Sequence, residues 1–358
     1  METRATRRGS NRSIAAALAV AMAAVGGATL TSAQAQTSPA SGQASGQASR
    51  QASRQASRQA SGVEAPVAKP APKTPWGHPD LQGTWDYRTI TPLERPQQYG
   101  DRAFLTEEEA RALEDRAGKR MDLPPEKIQP GLNHAQYWTD PGRRVDASRR
   151  TSLIVEPTNG RIPPLTAEGR ARQALRPQRQ SDVVDSWVDR SNAERCITYG
   201  FPSASLPTLY NNNIKIVQTP DSAVIVHEMI HEARIVPLDG RPPLPGTIRQ
   251  WIGDTRGRWE GDTLVVETTN FSGQNNYRGS TTGLHLTERY RRVGANALEL
   301  RLTVEDASTW TQPWTVVLPM IPTEGDIGEY ACHEGNYGLR GILEVARDAD
   351  KAAAAKAK

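Results

Sequence analysis

The chain of 358 residues carries 44 Lys and Arg against 40 Asp and Glu, a formal net charge of +4. A basic balance would ordinarily suggest a nucleic acid or an anionic surface as partner. The excess is confined to the first 75 residues, which hold nine basic and two acidic side chains and leave the remainder near −3, so nucleic acid is excluded as a partner.

Arg4, Arg7, Arg8 and Arg12 precede an Ala- and Val-rich apolar run from Ile14 to Leu30, followed by Ala33-Gln34-Ala35. This is the order of a signal peptide: charged region, apolar region, small-residue cleavage site. A membrane anchor is the alternative, but small Ala and Gly residues dominate the run and a cleavage site follows directly. Residues 1–35 are therefore read as a removed signal, with the mature chain starting near Gln36 in the periplasm or outside the cell. Gly9-Ser10 stand where a twin-arginine signal has an apolar pair, which leaves a Sec-type route as the reading. Residues 36–75 contain a four-residue repeat, SGQA and then SRQA, and Pro66, Pro70, Pro72 and Pro75. Almost no large apolar side chain offsets the entropy of ordering, so this stretch is expected to be a disordered linker.

Residues 76–345 are read as one β-rich domain, and 346–358 as a disordered Ala/Lys tail. No second stretch is long and apolar enough to cross a membrane once the signal is cleaved. The first third of the domain is irregular and partly helical. Thr106-Glu107-Glu108-Glu109 is a capping box opening a helix to about Arg120, and Thr166 to Leu175 is a second helix. Between them lie the Pro and Gly clusters of Leu123 to Gly142 and the strand-like Ser152 to Val155. From Asn213 the texture becomes short β-branched or alternating runs: Ile214–Gln218, Ala223–Val236, Thr247–Gly253, Thr263–Phe271, Leu284–Val293, Leu298–Glu305 and Trp314–Met320. Turn residues such as Glu260-Gly261-Asp262 and Gly294-Ala295-Asn296 separate them. The expected architecture is mainly β, an antiparallel meander forming a lipocalin-like barrel or a sandwich. Leu298, Leu300, Leu302 and Val304 alternate with polar residues, giving one buried and one wet face.

Two cysteines, Cys196 and Cys332, in an oxidising compartment favour a disulfide, with two separate buried thiols as the alternative.

Trp76-Gly77-His78-Pro79-Asp80-Leu81-Gln82-Gly83-Thr84-Trp85, Tyr210-Asn211-Asn212-Asn213, Trp251-Ile252-Gly253-Asp254, Trp259-Glu260-Gly261-Asp262-Thr263-Leu264 and Tyr330 to Tyr337 resemble the motifs of a widespread family of exported bacterial proteins. The resemblance spans most of 76–345 and implies export, without an activity. A slighter one is to lipocalins and other calycin barrels, whose first strand opens with a Gly-x-Trp such as Gly83-Thr84-Trp85. It implies a barrel.

His227-Glu228-Met229-Ile230-His231 matches H-E-x-x-H, in which two histidines one helical turn apart grip Zn²⁺ and the glutamate activates water. That geometry needs a helix; in a strand the two residues stand roughly 13 Å apart. The β-branched flanks Val224-Ile225-Val226 and Ile235-Val236 favour the strand, so no metal or other cofactor is expected, zinc on His227 and His231 being the alternative. In an extended segment Glu228, Glu232 and Arg234 share a face with Val224, Val226 and Ile230. His227 is then dispensable, whereas Glu228 and His231 are the groups expected to have buried partners.

A carboxylate and an imidazole near a pocket suit acid–base chemistry, so Glu228, His231, His333 and Glu334 are the candidate catalytic residues. Each has a plain alternative, an ion pair at a strand end or a solvated turn. Arg234, Trp251, Trp259, His285, Arg289, Tyr330 and Asn336 are the candidate ligand-binding residues. Eight Trp and nine Tyr against three Phe suit contact with ring compounds, although most of the tryptophans are expected in the core. Three functions follow: an exported barrel that binds, or also transforms, a small partly apolar or ring-containing molecule; a zinc hydrolase; or an envelope protein without ligand.

Overall fold

In a computed structural model the described residues are 72–121, 139–174, 186–274, 277–334 and 336–356. The expected signal peptide and nearly all of the expected linker lie outside them. Among the described residues there are ten strands: β1 (Gly83–Asp86), β2 (Ile154–Glu156), β3 (Asn213–Gln218), β4 (Ser222–His227), β5 (Ala233–Pro237), β6 (Asp254–Glu260), β7 (Thr263–Thr269), β8 (His285–Gly294), β9 (Ala297–Glu305) and β10 (Trp314–Pro322). The α-helices among the described residues are α1 (Glu107–Met121), α2 (Ala167–Ala174) and α3 (Tyr337–Lys356).

Nine strands run in the order β5-β4-β3-β1-β10-β9-β8-β7-β6, every neighbouring pair antiparallel, and β2 adds to β10. The sheet curls into a nearly closed barrel whose seam lies between β5 and β6. Gly257 of β6 shows how tight the seam is: a Cβ there would stand 2.5 Å from Val236 Cγ1 and 2.6 Å from Leu238 Cδ2. Only glycine allows that approach.

Alternation sets which side chains go inside. Leu298, Leu300, Leu302 and Val304 of β9 are buried, as are Leu286, Glu288 and Tyr290 of β8. Short β1 is held on both edges, Trp85 lying opposite Ile214 of β3 and Pro322 of β10. The Trp85 indole donates to Leu81 O at 2.9 Å, and the Arg292 guanidinium lies 5.1 Å above its ring. Cys196 and Cys332 form a disulfide that joins the segment before β3 to the segment after β10.

Three expectations are corrected. Ala223–Val236 is not one strand but the hairpin β4–β5, turned by a 3-10 segment at Met229–His231 in which Ile230 and His231 have positive φ. Thr247–Gly253 is a loop, and the strand lies one step later as β6, because Pro243 and Pro245 withhold donors and Gly246 loosens the approach. Residues 346–356, read as a disordered tail, belong to α3. Ala and Lys are among the better helix formers, and the apolar positions Leu339, Ile342, Leu343 and Ala346 start the helix before the alanines continue it.

Candidate functional site

Inside the barrel, β4, β5 and β8 bring one polar cluster together. Arg234 Nη1 and Nη2 donate to the two Glu288 oxygens at 2.5 and 2.9 Å, and Tyr290 Oη donates to Glu288 Oε1 at 2.9 Å. Ser205 Oγ completes that carboxylate at 3.4 Å. His227 Nδ1 bonds to Ala204 O at 2.9 Å, which makes it the protonated nitrogen and leaves Nε2 to accept from Arg234 Nη2 at 3.3 Å. Phe201 covers the group, with the guanidinium 4.2 Å over its ring.

The electrostatics follow from depth. Burial first, then the positive charge of Arg234, lowers His227 to about 3, so it is a neutral imidazole. Burial pushes the Glu288 carboxyl upward, but the charge and hydrogen bonds of Arg234 more than offset this and hold it below the usual range. Burial and the Glu288 charge raise Tyr290 well above an ordinary phenol. Arg234 Nε is buried without a hydrogen bond, while both terminal nitrogens are paired, and none of His227, Glu288 and Tyr290 is near its own titration at neutral pH. Leu286, Glu288, Tyr290, Leu298, Leu302, Val304, Trp314 and Leu318 have 0% accessible surface. A void able to hold even one water would leave area on its walls, so these side chains fill the lumen around them.

The sequence-chosen residues scatter around this core. Arg234 is in the cluster, on the face of Ile225 and His227 rather than that of Val224 and Val226, because the β4–β5 turn shifts the parity of the chain by one residue. His227, expected to be dispensable, is fully buried and bonded at both ring nitrogens. His231 stands exposed at the hairpin tip, so the two histidines of the H-E-x-x-H segment share no environment. Among the described residues no group of three His, Cys, Asp or Glu is placed to hold a metal ion.

Glu228 is half-buried beside that tip and accepts from Asn213 N at 3.2 Å and Asn213 Nδ2 at 2.8 Å. Nearby, burial raises the Glu232 carboxyl against the hydrogen bonds from Thr198 and Tyr199, and burial with Tyr210 pushes the Tyr330 phenol up to about 12. His333 and Glu334 are exposed next to the disulfide, and Asn336 donates to Glu194 O at 3.0 Å. His231 N donates to Glu228 O at 3.2 Å, but among the described residues no side-chain hydrogen bond joins Glu228 to His231 or His333 to Glu334. Trp251, Trp259, His285 and Arg289 belong to another side of the barrel: Trp259 stacks on His78 at 4.8 Å, His285 pairs with Glu305 at 3.4 Å, and Arg289 with Glu260 at 2.7 Å.

A cavity of about 630 Å³ lies instead on the flank, between α1, the chain leaving β1 and the chain entering β3. Its floor is Ile90, Leu93, Leu153 and Leu206, and Leu209 stands at its edge. From α1 come Leu113, Arg116, Ala117, Arg120 and Met121, spaced i, i+3, i+4, i+7 and i+8, one face of a helix. The walls are fixed. Glu109 N bonds to Thr106 Oγ1 and Thr106 N to Glu109 Oε2, the expected capping box, while Glu114 accepts from Val145 N at 3.0 Å. Leu153 N and Ile154 N bond to Pro92 O and Leu93 O, tying the other wall to β2.

None of the sequence-chosen residues lines this cavity. One signal was available for part of it: Leu113, Ala117 and Met121 recur on one face of the expected helix, and an apolar stripe must cover something. For the buried cluster the missed signal was Glu288, a carboxylate at the parity of Leu286 and Tyr290.

No family model and no curated protein matches the chain. The structure is similar to a secretary abundant heat soluble (SAHS) protein from Ramazzottius varieornatus, at 14% identity and a TM-score of 0.22, over 37% of this chain and 87% of that one.

Proposed function

We propose that this is an exported binding protein that takes a small, partly apolar molecule into the flank cavity beside α1. The observation that carries the reading is the contrast in space. The lumen is filled, whereas the flank holds an apolar hollow of about 630 Å³, within the roughly 300–1,000 Å³ usual for small-ligand sites. Its walls are mostly apolar, with few polar groups, the usual composition of such sites. The disulfide, the cleavable-signal pattern at Ala33-Gln34-Ala35 and the absence of a membrane-crossing helix among the described residues support work outside the cytoplasm.

The test is to fill the hollow. Ala117 faces it from an exposed helix, so Ala117→Trp should occupy the space without disturbing the barrel. Fluorescence of the neutral dye N-phenyl-1-naphthylamine should rise with the wild-type protein and stay near its free value with Ala117→Trp, at unchanged melting temperature. Equal enhancement by both proteins would refute the site.

A further inference from the structure

The chemistry of the rim goes beyond size and apolarity. Arg116 and Arg120 both face the cavity, one helical turn apart. Like charges at that spacing on a helix repel. Elsewhere arginines on this surface are commonly paired: Arg88 with Asp86, Arg102 with Glu109, Arg111 with Glu107, Arg289 with Glu260. Among the described residues neither Arg116 nor Arg120 has an acidic partner, and no Asp or Glu lines the cavity. Arg116 Nε donates back to Ala112 O at 3.1 Å, which fixes the stem and leaves both terminal nitrogens as donors. Arg120 also sits in the last turn, where a cation complements the helix dipole. That accounts for one cation. It leaves Arg116, a turn earlier, without a role of that kind, and two full positive charges outweigh the roughly half negative charge of the helix end.

Resting on the reading of this cavity as a binding site, we infer that its ligand is an amphipathic anion: a carboxylate head on Arg116 and Arg120 with an apolar body against Leu113, Met121, Leu93 and Leu206. Guanidinium and carboxylate match as a two-pronged, charge-assisted pair, and the two arginines present that fork at the mouth of an apolar floor. A neutral molecule of the same body fits the floor but leaves the arginine repulsion in place. A cationic one adds to it.

The experiment titrates the full mature protein calorimetrically with decanoate, 1-decanol and decylamine below their aggregation limits, in wild type, Arg116→Gln/Arg120→Gln and Ala117→Trp. Decanoate should bind the wild type about tenfold or more tightly than decanol. The double glutamine variant should bring decanoate to the level of decanol and leave decanol itself unchanged, and decanoate affinity should weaken with added salt. Both arginines are exposed on α1, so melting temperatures report directly whether the fold is kept. Equal wild-type affinity for decanoate and decanol, or a preference that survives in the double variant, overturns the anionic ligand while the cavity still stands if Ala117→Trp blocks both. Binding that ignores all three substitutions overturns cavity and anion together.

Discussion

The lumen of the barrel and the hollow on its flank hold the same kinds of residue, apolar side chains and arginine, and differ in whether the arginine has a partner. Arg234 in the lumen is fully buried, bonded to Glu288 and His227 and closed over by Phe201. Arg116 and Arg120 on the flank are exposed, face an apolar cavity and have no acidic partner among the described residues. A buried charge that keeps its own counter-charge is a structural element, because any ligand would first have to break the pair. Cations left beside an apolar surface can accept an outside partner. In this protein the conspicuous polar cluster is therefore the stable part and the plainer hollow is the candidate site.

That comparison breaks first at Glu288. Replacing it by Ala leaves Arg234 charged and unpaired in the lumen, and should cost about 3–5 kcal/mol of unfolding free energy in urea titration. Arg234→Met/Glu288→Leu, which removes both charges, should regain much of that loss. A near-neutral Glu288→Ala would mean that the lumen is open to water after all.

His227 gives a smaller, pH-dependent effect. Its folded value is lowered to about 3 and its unfolded value is near 6.5, so the unfolded chain takes up the proton first. The neutral imidazole therefore contributes stability that is complete above about pH 6.5 and is lost as pH falls from there towards 3. Over that window the wild type should lose stability more steeply than His227→Gln, by up to about 1.4 kcal/mol per pH unit. Parallel profiles for the two proteins would show that His227 is not buried as a neutral group. On the flank, substitutions should change binding and leave stability within about 0.5 kcal/mol, as the Ala117→Trp and Arg116→Gln/Arg120→Gln experiments read.

Much of the barrel was legible in the sequence because strand period and turn chemistry are local. Leu298 to Val304 and its neighbours on β8 alternate cleanly, and Thr106 with Glu109 marks the start of α1. The β4–β5 hairpin was not legible, because Glu228 to Glu232 contains neither Gly nor Pro. The turn is made by Ile230 and His231 at positive φ, a conformation that tertiary contacts impose on residues that seldom adopt it alone. Missing that turn put Arg234 on the wrong face and hid His227. The flank cavity was half legible: its helical wall follows from the 3.6-residue period, but the other wall comes from Ile90 and Leu206, 116 positions apart and unrelated by any local pattern.

The most direct measurement is a methyl NMR titration of the mature protein with decanoate, which reads flank and lumen in one experiment. If the ligand sits beside α1, the methyls of Leu93, Leu113, Met121 and Leu209 shift with one saturating curve, while those of Leu298, Leu300 and Leu302 stay still. Shifts in the lumen leucines with a silent flank would contradict the account.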